Sequence, residues 1–218
     1  MTDYFRPLVQ IGPARPDTAV SLAGGWGWFT HAEVLSRSAP PRVVPAADIP
    51  ASVMERLTAP RPTMAGLTLD RPRIMGILNT TPDSFSDGGQ HNAVPDALRV
   101  AQEMVAAGAD ILDIGGESTR PGADFVPVSG EITRTAPVIA ALRGAGLHTP
   151  ISIDTRKAAV AEAAVSAGAN LVNDVSGFTF DPALGPLCQK LALPVCVMHA
   201  QGDPATMHLD PQYDNVLL

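Results

Sequence analysis

From Leu67 onward the chain alternates between two hydrophobic patterns. Short apolar runs, "RIMGILN", "DILDIGG", "PISID", "NLVND" and "PVCVMH", are separated by stretches whose apolar positions recur at helical spacing. In "VPDALRVAQEMVAAGA", Leu98, Ala101, Met104 and Val105 share one helical face, and Gly108 closes the helix. "GEITRTAPVIAALRGAG", "KAAVAEAAVSAGA" and "DPALGPLCQKLAL" read as three further helices. "GLTLDRPRIMGILN" reads as a strand, a turn around Asp70 to Pro72, and a second strand ending at Asn79. Strands that are apolar throughout, rather than at every second position, are those of a parallel sheet covered on both faces. Two of the helices end in the same "AGA", at 107–109 and 167–169, and lead directly into the next strand.

The first 65 residues have a different character. Nine prolines from Pro7 to Pro62 punctuate them, and both tryptophans lie in "GGWGWF". "TAVSLAGGWGWF" offers a strand or two, and "PAADIPASVMERL" a short helix with Asp48 as its cap and Pro50 just inside. Residues 1–65 are therefore read as an accessory segment of unassigned role, with a partly disordered arm as the alternative. Residues 66–218 form the main domain.

Polar residues punctuate the strands. Asn79, Asp113, Asp154, Asn173 with Asp174, and His199 all fall at expected C-terminal strand ends. One such residue is ordinarily a turn or helix cap, but five strands sharing the habit point to a common pocket at one mouth of the sheet. Two connections are unusually long: "NTTPDSFSDGG" after Asn79, and "GGESTRPGADFVP". Asn79 offers a neutral oxygen suited to a hard cation such as Mg2+. Ser118, Thr119 and Arg120 suit phosphate or carboxylate oxygens. Asp154, partly desolvated at a strand end, suits a paired N–H donor array such as an amino-substituted heterocycle, with Asn173 beside it as mixed donor and acceptor.

Composition narrows the partners. The 218 residues are 45% hydrophobic and 17% charged, with net charge -7 and no basic stripe, which argues against a nucleic-acid partner. No apolar run reaches the roughly 20 residues of a membrane span, and no leader pattern opens the chain. Cys188 and Cys196 form no CxxC pair and read as buried, reduced thiols of a cytoplasmic protein. His199 and His208, nine residues apart across "AQGDPATM", are poorly spaced for zinc.

"ILNTTPDSFSDGG" and "DIGGESTRPGA" resemble the two signature segments of the dihydropteroate synthase family, and "SIDT", "VNDV" and "PVCVMHAQGDPATM" follow in that family's order. The resemblance covers about Gly66 to the end. It implies an α/β fold, a (β/α)8 TIM barrel that is incomplete in this chain, with about four βα units plus a fifth strand after the accessory segment. It also implies a transferase of folate biosynthesis that condenses (7,8-dihydropterin-6-yl)methyl diphosphate with 4-aminobenzoate and releases pyrophosphate. By position, Asn79 would be the Mg2+ ligand and Thr119 would contact the diphosphate substrate. Asp154 and Asn173 would hold the pterin ring, with Met198 lining its pocket. Asp83, Phe85 and Asp87, with Arg120 and Pro121, would close over the aminobenzoate. Asp83, Asp87 and Arg120 are the expected catalytic groups, either carboxylate easing positive charge on the pterin methylene. A homodimer is allowed if the protein is full length.

"DPQYDNVLL" reads as the opening of a fifth helix, and the family's later segments do not follow it. The 218-residue chain alone is therefore expected to lack synthase activity. Two other readings compete. One is a pterin-binding methyltransferase barrel, which would not need the two decorated loops. The other is a non-catalytic pterin-binding module.

Overall fold

The computed structural model describes residues 3–81, 93–118, 124–202, 206–207 and 209–218. The chain divides into two compact units, Met1–Pro72 together with Gln212–Leu218, and Arg73–Pro211.

The first unit is folded rather than a disordered arm. Its strands are β1 (Tyr4–Pro7), β2 (Val20–Ser21), β3 (Trp28–Phe29), β4 (His31–Ser36) and β5 (Ala39–Pro45). They form an antiparallel sheet in the order β1-β4-β5 and a separate β2-β3 pair. Proline removes a ladder donor and is tolerated at sheet edges. Pro7, Pro40, Pro41 and Pro45 accordingly sit in the two edge strands, β1 and β5. A short 3-10 helix, Ala46–Asp48, leads to helix α1 (Ala51–Thr58). Phe29, Ala32, Ala46 and Ile49 form the core, with Val53, Met54 and Leu57 of α1 against it. Asp48 does not cap α1: it lies in the 3-10 helix, and the capping position is Pro50, without a side-chain bond. The stretch after α1 folds back on this unit. Pro60 lies against Gly24, and the Asp70 carbonyl faces Gly25. An open cleft of ≈ 290 Å³ is lined by residues 9–27 and 61–72, Trp26 and Arg61 among them.

Among the described residues the second unit alternates strand and helix: β6 (Met75–Asn79), α2 (Ala93–Ala106), β7 (Ile111–Gly115), α3 (Val128–Gly144), β8 (Ile151–Asp154), α4 (Ala158–Ala167), β9 (Leu171–Asp174), α5 (Leu184–Lys190) and β10 (Val195–Val197). The five strands are all parallel and pair in chain order, β10-β9-β8-β7-β6. That is the wall of a (β/α)8 barrel, as four βα units and a fifth strand.

Among the described residues of this unit, helices cover one face of the sheet, not both. Leu78, Ile114, Ile153 and Val172 are register neighbours and pack with Ala97, Ala101, Ile139, Val160 and Ala164 of the helices. Leu171 and Ser152 on the opposite face are also buried, so the strands still read as nearly continuous apolar runs. Three further expectations fail. Only an isolated bridge, Met64–Leu67, forms where a strand was expected before Asp70. Residues 210–218 are not helical. Cys188 is buried, but Cys196, on the edge strand β10, is exposed. No helix among the described residues is long and apolar enough to cross a membrane.

At the β7 exit the backbone meets α3 so closely that a Cβ at Gly116 would lie 2.8 Å from Thr135 Cγ2 and 3.1 Å from Glu131 Cγ, both in fully buried side chains. Gly116→Ala should therefore cost about 1–3 kcal/mol through overpacking. Gly144→Ala, at the open end of α3 with nothing within 4 Å, should be neutral or slightly stabilising. Urea denaturation of the two variants tests the contrast.

Candidate active site

Parallel pairing aligns residues from successive strands into rows. Asn79 pairs with Gly115, Gly115 with Asp154, Asp154 with Asn173, and Asn173 with Cys196. Side chains alternate faces along a strand, so this row points away from the helices, as do Asp113 and Ser152 two residues earlier. Three expected site residues, Asn79, Asp154 and Asn173, therefore share one row. Gly115 keeps it open: a Cβ there would touch Asp154 Oδ2 at 3.5 Å and Asn79 Oδ1 at 3.6 Å. Met198 follows β10, exposed, with its N–H donating to the Asp174 carbonyl at 3.1 Å.

Not every strand-end polar residue belongs to the row. Asp113 is mid-strand in β7, and His199 lies two residues beyond β10. Asp174 points to the helix side and is a turn cap, accepting from the Ser176 N–H and hydroxyl at 2.7 Å and from the Phe178 N–H at 2.6 Å. Asp154 is free of that duty. The N-terminus of α4 is served by Asp181, whose Oδ2 accepts from the Ala158 N–H at 2.8 Å.

Asp154 is the one carboxylic acid in this row. Burial, then the negative charges of Asp113, Glu131, Asp174 and Glu117, push its carboxyl from 3.8 up to about 7. Asn173 Nδ2 donates to Asp113 Oδ2 at 2.9 Å, while Asp113 Oδ1 and Ser152 Oγ are buried without a partner among the described residues.

A buried charge cluster that the sequence did not disclose lies beside the row. Lys157 Nζ contacts Glu131 Oε2 at 2.6 Å and Glu117 Oε1 at 3.0 Å, and donates to the Val126 carbonyl at 2.7 Å. Arg156 Nε reaches Glu117 Oε2 at 3.2 Å, and the Val126 N–H donates to Glu117 Oε1 at 2.9 Å. Burial alone would raise the Glu117 carboxyl; the Val126 N–H, Lys157 and Arg156 outweigh it and hold Glu117 below its usual value. The cluster ties Glu117 to Val126, the two ends of the segment carrying Thr119, Arg120 and Pro121. Its one sequence signal was a lysine placed just after a strand in a chain with two lysines.

Asp83, Phe85, Asp87, Thr119, Arg120, Pro121 and His208 lie outside the described residues. Among the described residues no group of three or more His, Cys, Asp or Glu could hold a metal. Asn79 can still contribute one neutral oxygen, beside the Asp154 carboxyl, to a cation that takes its other ligands from substrate and water.

A family model described as "Pterin binding enzyme" matches residues 75–218, the strands and helices that build this row. The chain belongs to the pterin-binding enzyme family. Within that family, the dihydropteroate synthase of Synechocystis sp. is 49% identical over 143 residues, which are 66% of this chain and 49% of that protein. Among solved structures, Xanthomonas albilineans dihydropteroate synthase with 4-aminobenzoic acid is similar with a TM-score of 0.62 and 50% identity, over 69% of this chain and 53% of that one. The same enzyme in complex with 7,8-dihydropteroate matches with a TM-score of 0.57 and 44% identity, over 68% and 50%. The chain spans about half the length of these relatives.

The raised Asp154 carboxyl has a stability consequence. Between about pH 4 and 7 the folded chain retains a proton that the unfolded chain has released, so stability falls as pH rises through that window. Asp154→Asn removes the slope. Its stability relative to wild type should increase from about pH 5 to about pH 8 in chemical denaturation. A difference that does not change with pH would show that Asp154 titrates normally.

Proposed function

We propose that this chain belongs to a dihydropteroate synthase, which joins (7,8-dihydropterin-6-yl)methyl diphosphate to 4-aminobenzoate and releases pyrophosphate. One observation carries the reading: Asn79, Asp154 and Asn173 stand in a single register row on the helix-free face of the barrel wall. The names and bound molecules of the relatives support the choice of substrates.

The row suits a pteridine. An ionised Asp154 accepts two parallel N–H donors, the pattern of an aminopyrimidine edge, and Asn173 supplies one donor and one acceptor next to it. Partial burial strengthens these bonds and leaves little tolerance for a ligand that fails to make them. Asn79 would hold Mg2+, which when bound would neutralise charge on the departing diphosphate. Thr119 would contact the diphosphate-bearing substrate. Asp83 or Asp87 would ease positive charge at the pterin methylene as the carbon–oxygen bond breaks, and Phe85, Arg120 and Pro121 would flank the aminobenzoate. An aromatic amine is a free nucleophile near neutrality, so the second substrate needs position rather than activation. Met198, two residues after Cys196 of the row, would border the pterin. Both cysteines are free, which accords with a cytoplasmic setting.

Calorimetric titration with the dihydropterin diphosphate and Mg2+ tests the assignment. Asp154→Ala should weaken binding by about 10–100-fold, the cost of lost charged hydrogen bonds. Unchanged affinity would refute the ring-binding role. Asn79→Ala should abolish the Mg2+ dependence of diphosphate binding and leave affinity for the diphosphate-free pterin alone. Equal loss for both ligands would remove Asn79 from the metal.

A further inference from the structure

We infer that Asp113 is a positioning residue of this site, whose carboxylate fixes which end of the Asn173 amide donates and which accepts toward the ligand. The inference rests on the pterin reading above.

Asp113 lies on β7 and Asn173 on β9, so their 2.9 Å bond passes over β8, between Ser152 and Asp154. A carboxylate only accepts. It therefore compels the nitrogen end of the Asn173 amide to face it and turns Oδ1 elsewhere, because a flipped amide would set oxygen against oxygen. Asn173 is left with one N–H and one carbonyl oxygen in a set order for a ligand. An asparagine held by a group that both donates and accepts, such as a hydroxyl or a second amide, would have no such order, since either end could find a partner.

The arrangement is poorly explained by stability alone. Asp113 is only 4% exposed, and its Oδ1 has no hydrogen-bond partner among the described residues, as is true of Ser152 Oγ, its register neighbour. Half-satisfied buried polar groups are costly, and apolar side chains of similar size would pack here without that cost. A buried carboxylate that is left half satisfied, and makes one oriented bond to a ligand-facing amide, fits a role in recognition.

Two pteridines separate order from mere support. Next to the amino and N3–H donors that Asp154 takes, a pterin presents an N1 acceptor beside the second amino N–H donor, whereas lumazine presents an N1–H donor beside a C2 carbonyl acceptor. Both are titrated calorimetrically into the intact chain, the Asp113→Asn variant, Asn173→Ala and the double variant. Wild type should prefer the pterin, and Asp113→Asn should narrow the preference by about tenfold, because a neutral neighbour lets the amide turn to suit either ligand. Asn173→Ala should narrow it as well, and Asp113→Asn should add nothing in that background. Equal weakening of both ligands by Asp113→Asn, with the preference intact, overturns the inference and leaves a structural role. An unchanged preference in Asn173→Ala overturns it independently, and stands even where the Asp113 variant folds poorly. Wild type that binds neither pteridine overturns the pterin reading itself, and the inference with it.

Discussion

Backbone register between the parallel strands is the constraint on which both the core and the site depend. Leu78, Ile114, Ile153 and Val172 form one row facing the helices; Asn79, Gly115, Asp154 and Asn173 form the next, facing away. The two rows are one alternation seen from opposite sides. A slip of one residue in any strand would send an aliphatic side chain to the ligand face and a carboxyl or amide into the helix-packed core. Burial of the aliphatic row thus selects the pairing that assembles the polar row. The site needs no separate force to bring its residues together.

The same geometry explains contrasting carboxyls. Glu117 lies just after β7 and Asp154 ends the neighbouring β8, and both are withdrawn from water. Glu117 meets two cations and a backbone N–H, which hold its carboxyl below the usual value. Asp154 has acids around it and is pushed up to about 7. Burial acts on both in the same sense, and the partners decide the outcome. The charged pair behind the site therefore serves position, while the carboxyl within it keeps its protonation open to the ligand.

Much of this was legible in the sequence because it depends on local periodicity. The βα alternation follows from apolar runs and helical spacing. The row follows from polar residues that end those runs. What stayed hidden depends on contacts between distant segments. Asp174 looked like a site residue, yet its parity places it on the helix side, where it caps a turn. Asp113 looked like a strand end and is mid-strand, on the same face as the others but two residues below them. The proline-rich opening leaves a disordered arm open as the alternative because edge strands tolerate the residues that disordered segments favour; the pairing of β1 and β5 with β4 separates the two. "DPQYDNVLL" reads as a helix opening, with Pro just inside it, but forms no helix here, since a short segment without a packed face does not hold one.

The interior position of Lys157 gives the molecule an unusual chemical surface. The sequence holds two lysines, and Lys190 at the end of α5 is the exposed one. Lys157, 3% exposed between two glutamates, is closed to reagents that attack free amines. Amine-selective acylation can mark the folded protein at one lysine, Lys190. Modification at Lys157 would therefore act as a clock for opening of the charged core, read by mass without any probe attached.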